Sequence, residues 1–192
     1  HMRGLLQYRI PALLRKHLKP VVKQQGRFSR LLDIGCGTGL AGAALKDFAD
    51  HMTGVDLSGN ILAQAAQKNI YNCLIHDDFQ QFLKTTPDHF NLIVAADVFI
   101  YTGRLDTAFA LIRKRLMTNG YLVFSTEKTD SADFLLQESG RFSHARGYIS
   151  ALAQRHGMRQ TLVRSVPVRM EDGAWIYGDL FMLVAEGNQV VQ

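Results

Sequence analysis

Three glycines spaced two apart, Gly35, Gly37 and Gly39, follow the apolar run Arg30 to Ile34 and the carboxylate of Asp33. That spacing lets a backbone turn sharply and approach a ligand closely. Asp56 lies near the end of the next apolar run, His51 to Leu57, and a carboxylate there suits both hydroxyls of a ribose. Asp77 and Asp78 stand after a third run, Asn72 to His76, where one of them can accept from an adenine amino group. Together these residues outline a nucleoside lying across three adjacent strand ends.

Two ligands compete for that outline. Gly37-Thr38-Gly39-Leu40-Ala41-Gly42 fits the pyrophosphate fingerprint of a dinucleotide site, with Asp56 at about the right distance, which makes an NAD(P)-binding oxidoreductase one reading. The other is a sulfonium nucleoside, S-adenosylmethionine (SAM), which has no phosphate and carries an ammonium group. Asp33 suits a cationic ligand, directly or through water, and would repel a pyrophosphate held at the same loop. No Tyr-x-x-x-Lys pair for hydride chemistry is visible. A bare tight turn would leave the carboxylates at two further strand ends as coincidence. SAM is the better match.

The elements that must position these residues alternate. Pro11 fits the first turn of a helix through Leu13, Leu14 and Leu18, which Pro20 ends or kinks, within an N-terminal helical segment over 3–29. After the first strand, Leu40 to Phe48 reads as a helix. Ser58 caps a helix that carries Ile61, Leu62, Ala65 and Ala66 on one face. Asp78 opens a short helix through Leu83, and Phe90 to Ala96 is a strand. Leu105 to Met117 is a helix closed by Asn119-Gly120, and Tyr121 to Thr126 is the next strand. Ser143 to His156 is a helix stopped by Gly157. Thr161 to Met170 and Trp175 to Ala185 form a hairpin turned at Glu171-Asp172-Gly173. This order predicts an α/β, Rossmann-like, doubly wound, seven-stranded sheet, mostly parallel with a C-terminal antiparallel hairpin. Ligands bind such sheets at the carboxyl ends of the strands, at the topological switch point.

Composition bounds the rest. The 192 residues are 47% apolar and 20% charged, consistent with one globular domain over 1–192, in which His1-Met2 reads as an expression scar. Cys36 and Cys73 cannot make a disulfide framework, no Cys/His cluster has zinc spacing, and no metal site is expected. The N-terminal region, charged and broken by Pro11 and Pro20, does not read as a signal peptide, so a reducing cytoplasm is the expected compartment. The net charge of +5 is dispersed, and its densest cluster, Arg113-Lys114-Arg115, reads as the solvated face of a helix. Neither a nucleic-acid nor a membrane signal stands out.

Asp33-Ile34-Gly35-Cys36-Gly37-Thr38-Gly39 resembles motif I of the class I SAM-dependent methyltransferases. Gly54-Val55-Asp56-Leu57-Ser58 resembles their ribose-binding acidic turn, Ala95-Ala96-Asp97-Val98-Phe99 their fourth-strand motif, and Asn119-Gly120-Tyr121-Leu122-Val123-Phe124 their fifth strand. The resemblance spans about Leu31 to Glu186. It implies SAM as cofactor, held by Asp33, Gly35, Cys36, Gly37, Gly39, Asp56, Leu57, Asp77, Asp78, Phe79 and Asp97. A narrower likeness is carried by Tyr8-Arg9-Ile10-Pro11-Ala12-Leu13-Leu14, Asp97-Val98-Phe99-Ile100-Tyr101 and Ser139-Gly140-Arg141-Phe142-Ser143-His144. These resemble predicted methyltransferases often attached to tetratricopeptide repeats, although no such repeat is visible here.

The implied activity is methyl transfer from SAM to a small-molecule acceptor, with a non-catalytic SAM-binding domain as the reading of a different class. Transfer from a sulfonium needs alignment and exclusion of water, and a general base only where the acceptor must lose a proton. His144 is the candidate for that role. Tyr101, Arg141 and His144 are the candidates for the acceptor side. His144 starting the following helix is the plainer reading. The segment 128–143 is long for a connection and is expected to be a lid or acceptor loop. Cys36 is most simply a small residue facing the core or the cofactor, and Trp175 is expected to pack in the hairpin.

Overall fold

The computed structural model describes residues 9–171 and 173–187. His1-Met2, Tyr8 and Asp172, which figured in the sequence reading, lie outside the described residues. In chain order the helices are α1 (Ile10–Gln25), α2 (Leu40–Leu45), α3 (Gly59–Ala66), α4 (Phe79–Thr85), α5 (Asp106–Arg115) and α6 (Arg146–Arg155). The strands are β1 (Phe28–Ile34), β2 (Ala49–Asp56), β3 (Cys73–His76), β4 (Phe90–Ala95), β5 (Leu116–Lys128), β6 (Phe134–Leu136), β7 (Phe142–His144), β8 (Met158–Glu171) and β9 (Ala174–Ala185).

β3, β2, β1, β4 and β5 lie side by side and parallel; β9 then runs antiparallel along β5, and β8 pairs with β9. The order reverses between β1 and β4, so the carboxyl ends of these two strands flank the switch point. Both faces of the sheet are covered, and the side chains alternate between them. Leu31, Leu92, Val94, Val123, Leu180 and Met182 pack under Leu14 and Leu18 of α1 and Leu45 of α2. Leu32, Ile34, Ile93, Phe124 and Phe181 pack on the opposite face against Phe109 and Ile112 of α5 and Leu152 of α6. With successive residues pointing to opposite faces and both faces buried, the strands read as continuous apolar runs.

Several expectations change. The sheet has nine strands rather than seven, because the segment 128–143 contributes β6 and β7, a hairpin that joins the sheet through parallel pairing of β7 with the end of β5. Each of the two is three residues long, below the length at which alternation gives a signal. Its turn is closed by Gln137 N–H to the Arg141 carbonyl (2.8 Å) and Gly140 N–H to the Gln137 carbonyl (2.9 Å), with Gly140 at φ 76°. Ser143 and His144 therefore belong to β7, and α6 starts later, at Arg146. Pro20 neither ends α1 nor divides it; the helix runs on to Gln25 and stops at Gly26, φ 87°. α5 stops at Arg115, and β5 starts at Leu116 with a register shift against β4 between Phe90 and Leu92. Asn119 (φ 61°) and Gly120 form an irregularity inside β5 rather than a helix-closing turn. Trp175 is half-buried in β9, and the Arg9 guanidinium lies 4.7 Å from its ring centroid.

Candidate functional site

A cavity of about 400 Å³ opens at the carboxyl edge of β1, β2, β3 and β4. Gly35, Asp56, Leu57, Asp77, Asp78, Phe79, Asp97 and Tyr101 line it, together with Val55, Gln80, Val98 and Thr102. A second cavity of about 220 Å³ shares Gly35 and Asp97 with it and is completed by Cys36, Gly37, Thr38, Leu40, Ala41 and Ala96.

The glycine loop has the backbone its composition suggests. Gly35, Gly37 and Gly39 have φ of 60°, 54° and 81°, the left-handed region that side chains disfavour. At Gly35 a Cβ would also lie 2.5 Å from Val98 Cγ2, so the approach of β1's end to the loop after β4 demands glycine there. Asp56 spans the two turns above it: Oδ2 accepts from Gly37 N–H and Oδ1 from Ser58 N–H, both at 2.9 Å. A carboxylate has acceptor capacity beyond two such bonds, so these leave room for a ligand hydroxyl. Asp78 caps α4, and both bonds, from Gln80 and Gln81 N–H (2.9 and 3.0 Å), fall on Oδ1. Asp77 N–H donates to the Asp56 carbonyl, which ties the ends of β2 and β3 together.

Asp97 adopts φ 55°, rare for a residue with a side chain. Ser125 of β5 holds it: the Asp97 N–H donates to Ser125 Oγ at 2.9 Å, and that hydroxyl donates to Asp97 Oδ1 at 2.8 Å. At the mouth, Leu57 and Tyr101 are each 69% exposed, apolar surface presented to whatever enters. Burial, then the nearby Asp33 and Asp56, pushes the Cys36 thiol well above its ordinary range, so it stays protonated and is a poor nucleophile.

Asp33, Gly39, Arg141 and His144 line neither cavity. Asp33 shares its face of β1 with Leu31, the face under α1 and α2, and is 1% exposed. Its Oδ2 accepts from the Tyr71 hydroxyl at 2.6 Å. Burial raises its pKa to about 7; the Tyr71 and Gly42 donors act downwards and Asp56 adds slightly upwards. His144 is fully buried, and its Nε2 lies 2.9 Å from the carbonyls of both Thr102 and Gly103. Two acceptors fix the proton on Nε2, and burial lowers the pKa, so the ring is a neutral donor joining β7 to the loop before α5. Arg141 sits in the β6–β7 turn.

Tyr71, Val98 and Thr102 were not singled out in the sequence. Val98 lies within a quoted motif and was legible there; Tyr71 had no local signal.

Among the described residues, every charged residue lining the two cavities is an aspartate, namely Asp56, Asp77, Asp78 and Asp97, and no Lys, Arg or His lines either. The protein as a whole carries +5, so the acidity is local to the site. Against this described lining a pyrophosphate would meet carboxylates, with the nearby Lys68 ammonium turned to the Thr38 carbonyl, whereas a ligand with sulfonium and ammonium charges would meet complementary groups.

The sequence matches the family described as "Methyltransferase domain" over residues 5–165. Among curated proteins it is similar to a malonyl-[acyl-carrier protein] O-methyltransferase of Halalkalibacterium halodurans, 33% identical over 132 residues, covering 61% of this chain and 48% of that protein. It is also similar to the 18S rRNA (guanine(1575)-N(7))-methyltransferase of Saccharomyces cerevisiae, 29% identical over 90 residues, 46% of this chain and 33% of that one. The chain spans about half the length, or less, of the curated relatives it matches. Its fold is that of the N-methyltransferase NodS of Bradyrhizobium japonicum, solved with S-adenosyl-L-homocysteine: TM-score 0.69, 22% identity, 92% of this chain and 87% of that one.

Proposed function

The chain belongs to the methyltransferase-domain family, and from that premise we propose that it is a SAM-dependent methyltransferase acting on a small-molecule acceptor. The acidic lining of the paired cavities, with no Lys, Arg or His among the described residues that form it, is the observation that carries this reading. When bound, SAM supplies an electrophilic methyl group on a sulfonium whose leaving group is a neutral thioether.

The residues of the chain would divide the work. Asp56 accepts from the ribose hydroxyls while it keeps the Gly37 and Ser58 amides in place. Asp78, whose cap bonds both use Oδ1, offers Oδ2 to the adenine amino group, with Asp77 as its neighbour. The loop from Gly35 to Thr38 frames the amino-acid end. Tyr101 and Thr102 stand on the acceptor side, and Tyr101 covers the opening with apolar surface. The main contribution of such a site is alignment of the acceptor atom and exclusion of water. His144, neutral and turned to two backbone carbonyls, is a support for the Thr102-Gly103 loop in this scheme rather than its base.

A small acceptor is favoured over a nucleic acid because phosphates would arrive at a mouth whose charged groups, among the described residues, are all carboxylates. The narrower likeness to methyltransferases attached to tetratricopeptide repeats rests on its sequence stretches and belongs to the same proposal. No helix among the described residues is long and apolar enough to cross a membrane.

Titration calorimetry with SAM, S-adenosylhomocysteine and NADH tests the cofactor. Binding of the first two and not the third is expected, and NADH binding alone would overturn the reading. Turnover of methyl-labelled SAM with a metabolite extract then separates an enzyme from a domain that only binds.

A further inference from the structure

Tyr71 lies in the connection before β3, outside every stretch that resembles a family motif, yet it is packed into the glycine loop. A Cβ on Gly42 would lie 2.3 Å from its hydroxyl oxygen, one on Gly39 3.0 Å from its ring, and one on Gly54 3.1 Å from its ring. Gly54 belongs to β2 and Gly42 to α2, so the ring is seated where β2, α2 and the loop meet. Its hydroxyl reaches the carboxylate of Asp33 at 2.6 Å, in the strand that leads directly into Gly35. The last glycine of the apparent pyrophosphate fingerprint thus has a local explanation: Gly42 is small because Tyr71 occupies the space.

We propose that Tyr71 is a positioning residue for the cofactor loop, its hydroxyl tethering Asp33 and its ring filling the notch left by Gly39, Gly42 and Gly54, so that the turn 35–39 is fixed before any ligand arrives. The consequence for ligand affinity rests on the SAM reading above; the ordering of the loop does not. Other titratable groups acting on the Asp33–Tyr71 pair are Asp56 and Cys36. Because the Tyr71 hydroxyl stabilises the charged form of Asp33, its removal moves Asp33 titration to higher pH.

Tyr71→Phe keeps the ring and removes the tether. In the unliganded protein, amide hydrogen exchange over 35–42 should quicken about tenfold while β4 and β5 keep wild-type protection. S-adenosylhomocysteine should bind about tenfold more weakly by calorimetry, and the pH midpoint of that binding should rise. A tyrosine that only fills space would leave that midpoint unmoved. Exchange equal to wild type would overturn the proposal. If wild type binds no S-adenosylhomocysteine, the cofactor reading fails and the exchange comparison alone decides the role of Tyr71. Tyr71→Leu, which removes the ring as well, should loosen the loop further than Tyr71→Phe; equal exchange in the two variants and wild type would sink the idea even if one of them bound poorly.

Discussion

Ser125 of β5 and Asp97, just past the end of β4, close on each other beside the switch point, the Ser125 hydroxyl receiving the Asp97 N–H and donating to its Oδ1. The pair holds a non-glycine residue at φ 55°, a conformation that costs about 1–3 kcal/mol wherever it persists. Ser125→Ala removes both bonds. It should lower stability by about 1–3 kcal/mol in denaturant titrations and weaken S-adenosylhomocysteine binding. Wild-type values for both would show that Asp97 is held by other contacts.

Gly42 gives a prediction whose sign separates two effects. In a helix interior, glycine to alanine is favourable by about 0.5–1 kcal/mol on propensity. Here a Cβ would meet the Tyr71 side chain, so Gly42→Ala should destabilise by about 1–3 kcal/mol. Combined with Tyr71→Ala, most of that loss should vanish, and the coupling is read from a double-mutant cycle in urea.

Asp56→Ala should weaken cofactor binding by about 1–3 kcal/mol, the scale for polar ligand groups left unpaired. The same carboxylate holds the Gly37 and Ser58 amides, so Asp56→Asn, which keeps an acceptor oxygen, should lose less. Calorimetry with S-adenosylhomocysteine checks both variants, and unchanged affinity in Asp56→Ala would put the ribose elsewhere.

Asp33 links stability to pH. Its folded pKa, about 7, lies above the usual carboxylate value, so between about pH 4 and 7 the folded state holds more protons than the unfolded one. Stability from this group is therefore full at the acid end of that window, falls as pH rises through it, and levels off above. Asp33→Asn should flatten that part of the pH dependence in thermal melts; an identical slope would show that other groups set it.

Arg146 at the start of α6 makes two bonds, 2.8 and 2.6 Å, to Asp179 of β9, which is fully buried. Removing the arginine leaves a buried carboxylate without its cation. A buried pair broken this way costs about 3–5 kcal/mol, and because Arg146 is itself partly exposed, about 2–3 kcal/mol is expected for Arg146→Ala by chemical denaturation. Arg146→Ala combined with Asp179→Asn should recover part of the loss.

The alternation of apolar runs and helices, the glycine loop behind β1 and the carboxylate at the end of β2 were all legible in the chain, because each depends on residues close in sequence: strand alternation, a sharp turn, a cap. Asp33 and His144 were not. Both read as candidates for a ligand from their motifs, but the face on which Asp33 falls follows from which helices cover β1, and its partner Tyr71 is 38 residues away. His144 points to carbonyls 41 and 42 residues back because β7, too short to announce itself, pairs with the end of β5. Local periodicity sets which elements form; only the packed sheet decides which polar side chains face the cavity and which are spent holding its walls.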